Sequence, residues 1–115
     1  MNKVEMIKKN RDFQLCYKKG KKYMLPGFIS YVLKGNDGYN TKIGITSSKR
    51  IGNAVLRNRA RRVIKESYRL SIKDVEINPG YRIIFVCRNR TPNYKSTDMM
   101  VSMRKHLVKV GVIMK

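Results

Sequence analysis

Residues 49–69, KRIGNAVLRNRARRVIKESYR, constrain the fold more than any other stretch of this chain, because they write a helix with one apolar and one cationic side. At about 100° per residue, Leu56, Ala60, Val63, Ile64, Ser67 and Leu70 gather on one arc. Arg57, Asn58, Arg61, Arg62, Lys65 and Arg69 gather opposite, with Arg59 near a border. An apolar arc of that width suits a helix lying on a sheet or core, so the cations are predicted to ride on a rigid element. Asn53 is placed to cap the helix, Lys49 and Arg50 stand in its approach, and the pattern fades near Leu70 and Ser71.

The rest of the chain alternates between short helical and strand-like patterns. Residues 11–19 predict a helix capped by Asn10 and stopped by Gly20, with Phe13, Cys16 and Tyr17 on its apolar side. Residues 28–33, FISYVL, and 41–46, TKIGIT, flank a Gly35-Asn36-Asp37-Gly38 turn and read as an antiparallel hairpin. Residues 23–25 suggest a further short edge strand. Residues 81–87, YRIIFVC, are apolar and β-branched enough for a central strand. Thr91, Pro92 and Asn93 signal the start of a last helix, in which Met99, Met103, Leu107 and Val110 recur at helical spacing. This order predicts a single α+β domain over residues 1–115, a mixed sheet of roughly four strands carrying three helices.

Charge narrows the partner. The chain has 27 Lys and Arg against 7 Asp and Glu, a net charge of +20, yet it is 42% hydrophobic and can still bury a core. Such self-repulsion is relieved by a polyanion, which gains affinity by releasing counterions, and nucleic acid leads among polyanions. Residues 49–69 hold 8 of the 27 cations, and Glu66 is their one acidic companion. A merely solvated face would carry more acidic partners at i, i+4. Arginine outnumbers lysine there, which suits bidentate phosphate contacts. A membrane surface is the poorer match, since the segment lacks Trp, Phe or a Leu-rich insertion face and no window has the length of a spanning helix. The N-terminal residues carry no apolar h-region, so no export leader is expected and the cytoplasm is the expected site of action. Cys16 and Cys87, far apart and outside any CxxC pair, read as buried reduced thiols.

Chemistry on the polypeptide itself is not expected. A protein nuclease needs clustered carboxylates for a divalent metal or a histidine acid–base pair. The acids are dispersed, with only Asp74 and Glu76 close together, and the single histidine, His106, lies among Arg104, Lys105 and Lys109 and is expected at the surface. Phe13, Tyr17 and Tyr31 admit two readings. They are core aromatics of an amphipathic helix and its strand, or they are platforms for unpaired bases, since Lys8, Lys9, Arg11, Lys18 and Lys19 frame two of them.

RNRARRVIKE at residues 57–66, preceded by KRIGNAV, resembles the RNR motif of the bacterial ribonuclease P protein component. KKNRDFQLCYKKG at residues 8–20 resembles the N-terminal segment of the same family. The usual motif runs RNxxKRxxRE, and here Arg61 and Lys65 exchange the common Lys and Arg while keeping the charge; only bidentate contact at Lys65 is lost. The resemblance implies a ribosomal-protein-like two-layer α-β sandwich with a left-handed β-α-β crossover, against the usual right-handed rule. It also implies an accessory subunit of a ribozyme that removes the 5′ leader of precursor tRNA, with the RNA subunit supplying catalysis and using Mg²⁺. On that resemblance Lys49, Arg50, Arg57, Asn58, Arg59, Arg61, Arg62, Lys65 and Arg69 would contact the catalytic RNA. Lys9, Phe13, Tyr17 and Tyr31 would line the cleft for the single-stranded leader. A structural RNA-binding protein of the ribosomal kind and a protein-only nuclease are the competing readings.

Overall fold

The computed structural model describes residues 2–36 and 38–114. In chain order the elements are α1 (Asn10–Lys19), β1 (Lys21–Met24), β2 (Phe28–Lys34), β3 (Lys42–Thr46), α2 (Ala54–Ile72), β4 (Tyr81–Cys87) and α3 (Ser96–Lys109). Two short 3₁₀ turns, Lys49–Ile51 and Thr91–Asn93, precede α2 and α3. The four strands form one mixed sheet in the order β1-β2-β4-β3.

β4 takes a central lane because it is apolar on both sides. Ile83 and Phe85 are fully buried on one face and Ile84 on the other. It pairs antiparallel with β2, Tyr31 opposite Ile84, and parallel with β3, Gly44 opposite Ile84. The predicted hairpin between residues 28–33 and 41–46 therefore does not form, because β4 separates the two strands; Asp37 of its expected turn lies outside the described residues. The true hairpin joins β1 to β2 across Pro26 and Gly27, and the expected edge strand is its outer arm. β3 instead reaches β4 through α2, a β-α-β unit between neighbouring parallel strands.

α2 and α3 cover one face of the sheet. Ile64, Tyr68 and Ile72 of α2 meet Phe28, Ile43, Ile83 and Phe85, and α3 adds Met99, Met103 and Leu107; all ten side chains are fully buried. The Phe28 and Phe85 rings meet edge to face at 5.3 Å. Ala60, Val63, Ile64 and Ser67 face this core as the periodicity predicts. Leu56 is 39% exposed and Leu70 only half-buried, and the arc is completed instead by Tyr68, Ser71 and Ile72, so the helix runs past its expected end. The two buried serines are tolerated because each hydroxyl donates one turn back, Ser67 to the Val63 carbonyl at 2.6 Å and Ser71 to that of Ser67 at 2.7 Å.

α1 lies on the opposite face, over a smaller cluster of Ile7, Cys16 and Ile84 with Phe13, Tyr31 and Leu33 at its margin. Cys16 and Cys87 are both buried and unpaired, and burial pushes each thiol up to about 11, so they stay protonated.

Three local expectations are corrected. Asn10 is the first residue of α1 rather than its cap, Lys9 holds the cap position, and no side chain caps the helix. Thr91, Pro92 and Asn93 form a separate turn, because the Thr91 hydroxyl is committed to the Gly27 carbonyl at 2.7 Å; α3 begins at Ser96, and Val110 lies just past its end. His106 is buried rather than at the surface, because it shares the stripe of Met99, Met103 and Leu107. Its ring meets Tyr23 at 5.1 Å and Phe28 at 5.8 Å, and burial, helped by the nearby Lys109 charge, lowers its pKa to about 4.

One element has no counterpart in the sequence patterns. Residues 5–7 run parallel along the outer edge of β3, the Ile43 amide donating to Glu5 at 2.9 Å and the Ile7 amide to Ile43 at 2.7 Å. Asn2 then reaches the far end of α2, its amide donating to the carbonyls of Ile72 and Val75. Among the described residues, no helix is long and apolar enough to cross a membrane.

Candidate RNA interface

The cationic face of α2 is built from its approach onward. Gly52 adopts φ 135°, the left-handed region open to glycine, and so turns the chain into the helix. Asn53 caps it, accepting the Leu56 amide at 3.0 Å as predicted. Arg57 is half-buried and donates to the Gly52 carbonyl at 2.6 Å, so part of its guanidinium ties down the turn. Lys49 and Arg50 are exposed in the preceding 3₁₀ turn.

One turn further on, Arg61 donates to the Ser47 hydroxyl at 2.9 Å and to the Asn58 side-chain carbonyl. Arg59, Arg62 and Lys65 are exposed. Arg69 differs from the others, because its guanidinium grips Glu66 through two hydrogen bonds of 2.7 Å. That pairing holds the Glu66 carboxyl below the usual range and raises Arg69. Among the described residues it is the one ion pair on α2, so the remaining cations keep their full charge for an external anion.

Two hollows follow this face. A trough of about 850 Å³ runs over Arg59, Arg62, Lys65, Arg69 and Lys73, between Asn2, Lys3 and Val4 on one side and Ser96 on the other. A smaller hollow of about 370 Å³ lies toward the β3 edge, where Met6 and Ile45 meet Asn58, Arg61, Arg62 and Lys65. Lys3 and Lys73 are thus additional members of the surface. Lys73 was within reach of the helical spacing, four residues after Arg69; Lys3 is brought in only by the N-terminal segment lying along the sheet edge.

The aromatic candidates lie across the sheet from α2. Tyr17 is 42% exposed and meets Tyr31 edge to face, centroids 4.8 Å apart. Its hydroxyl lies 3.4 Å from that of Thr46. The Lys22 ammonium sits 5.9 Å from the Tyr31 ring centre, and Lys9 is exposed at the head of α1, one turn before Phe13. Phe13 is half-buried, its ring pressed against Gly44 of β3. The two readings of the trio therefore divide: Phe13 and Tyr31 are half-buried at the margin of the small core, and Tyr17 stands exposed beside them.

Among the described residues, no three His, Cys, Asp or Glu side chains come together. His106, the one histidine, lies on the core side of α3 and is buried.

Comparison with known proteins agrees with this arrangement. A family model described as Ribonuclease P matches residues 1–111. The chain is similar to the ribonuclease P protein component of Clostridioides difficile, 41% identical over 110 residues that span 94% of this chain and 92% of that protein. Among solved structures it resembles the Staphylococcus aureus RNase P protein, with a TM-score of 0.72 and 32% identity over 94% of this chain and 95% of that one. It also resembles the Thermotoga maritima RNase P protein, with a TM-score of 0.66 and 25% identity over 93% and 94%. A cationic helix in a β-α-β unit, a family match over nearly the whole length and 41% identity to a relative covered over 92% of its own length lead to one conclusion: the chain belongs to the ribonuclease P protein family.

Proposed function

We propose that this chain acts, in the cytoplasm, as the accessory subunit of ribonuclease P, holding the catalytic RNA on α2 and the 5′ leader of precursor tRNA in the groove between α1 and the sheet. The observation that carries the reading is the placement of the two surfaces on opposite faces of one sheet. An RNA scaffold and a substrate strand can therefore be held at once without competing for the same side chains.

Each surface suits its assigned partner. On α2, Arg57, Asn58, Arg59, Arg61, Arg62 and Lys65, with Lys49 and Arg50 before them, offer donors on a stiff rod to closely spaced phosphates, which resist being brought together until neutralised. Arg69 contributes less while Glu66 holds it. In the groove, Tyr17, Tyr31 and the exposed rim of Phe13 give faces on which bases stack whatever their identity, and Lys9 and Lys22 draw in the backbone. Cutting the chain is assigned to the RNA subunit and its Mg²⁺; this polypeptide contributes binding and screening of charge, which lets the RNA work at lower Mg²⁺.

Reconstitution tests this. The purified chain alone should leave precursor tRNA intact. Addition of the catalytic RNA should give cleavage at Mg²⁺ concentrations where the RNA by itself is inactive. Cleavage by the chain alone would overturn the accessory role.

A further inference from the structure

Glycine in the interior of a strand needs a reason, because it weakens the strand and offers nothing to pack. Gly44 sits in the middle of β3 and is buried, yet its φ lies outside the left-handed region, so the backbone does not require it. Space does. A Cβ at this position would stand 2.5 Å and 2.6 Å from Cε1 and Cζ of Phe13. The ring occupies the volume that any other residue of β3 would fill.

The helix and strand are also matched in pitch. Phe13 and Tyr17 are one turn apart, about 6 Å of rise; Gly44 and Thr46 are two strand residues apart, about 6.6 Å. Phe13 accordingly rests on Gly44 while the Tyr17 hydroxyl comes within 3.4 Å of that of Thr46. Tyr17 in turn meets Tyr31 on β2, the residue that shares Ile84 with Gly44 across the sheet.

We infer that Gly44 is a positioning residue of the groove: by leaving a seat for the Phe13 ring, it sets how far that ring projects beside Tyr17 and Tyr31 and so fixes the width offered to a single strand. The inference rests on the leader-binding reading of the groove. The atoms that a new methyl group would meet are the far end of a side chain, so Gly44→Ala should leave the backbone in place and push the ring outward.

The test uses the holoenzyme reconstituted with the catalytic RNA. Affinity is measured for precursor tRNA with a short single-stranded leader and for mature tRNA, with the wild-type chain, Phe13→Ala, Gly44→Ala and the double variant. Gly44→Ala should reduce the precursor-to-mature preference by about tenfold, the scale of one lost stacking contact, while mature tRNA stays within about twofold. In the double variant the second change should add nothing to Phe13→Ala, since the ring that needed the seat is gone. A wild-type preference in Gly44→Ala, or a further loss in the double variant, would overturn the inference. Should Gly44→Ala fail to fold, recovery of the fold in the double variant supports the seat, and an unfolded double variant refutes it. A full leader preference in Phe13→Ala would instead sink the leader reading itself, a result independent of the Gly44 arms.

Discussion

His106 shows how far a residue's surroundings in space can depart from its surroundings in sequence. Flanked by cations along the chain, it nonetheless lies inside, and its pKa falls from 6.5 to about 4. The sign of the linkage follows. As pH drops below 6.5 the unfolded chain takes up the proton first, so the stability supplied by the neutral ring is complete above that pH and is lost between about 6.5 and 4. The loss should amount to about 3 kcal/mol at most. Denaturant melts of the wild type and His106→Leu at a series of pH values would show it: the wild type should weaken across that window and the variant should stay level. Spacing with Met103 and Leu107 carried the signal for this burial, but the charges beside His106 obscured it. A second residue-scale prediction concerns Glu66. Glu66→Gln should free Arg69 and steepen the salt dependence of RNA binding by about one unit of log-log slope, with little effect on folding; an unchanged slope would mean that Arg69 does not reach RNA.

α2 is the element most legible from sequence, in its cap, its cationic arc and most of its apolar arc, because helical periodicity is a local property that 19 residues repeat many times. Asn53→Ala should cost about 1 kcal/mol by leaving helix N–H groups unpaired, measured by chemical denaturation. For the interface, RNA binding should fall with salt with a log-log slope of about −5 if roughly six phosphates are met. Arg59→Ala combined with Arg62→Ala, two exposed side chains outside any ion pair, should bring it to about −3.5. A slope that does not move would place this face away from the RNA. The strands were less legible. β4 was readable as central from its unbroken apolar run, but the pairing of residues 28–33 with 41–46 was not, since proximity in sequence favours a hairpin and nothing local announces that a later strand will slip between. The aromatic trio was half legible: the helical spacing put Phe13 beside Tyr17, but the packing of Phe13 on Gly44 and of Tyr17 on Tyr31 joins residues of different elements.

For the whole molecule, salt should act in two directions. A chain of net charge +20 repels itself when folded, so raising the salt from about 0.05 to about 0.5 M should increase its melting temperature while weakening its grip on RNA. Thermal melts and binding isotherms in the same buffers would test both; a melting temperature that falls would show that the charges are already neutralised within the protein. The total charge and a mixed sheet carrying three helices were legible from composition and element order. The N-terminal segment along β3 was not, because residues 5–7 are too few to carry a period and owe their conformation to Ile43.

The central lane of the sheet is the last to be synthesised. Until the ribosome has released Tyr81–Cys87, β2 and β3 stand on either side of a gap, each without its main partner. A fragment of residues 1–80 should therefore show no protected strand amides in hydrogen exchange, where the complete chain protects β2, β3 and β4 together. An interrupted product should therefore be cut readily by proteases that the complete chain resists.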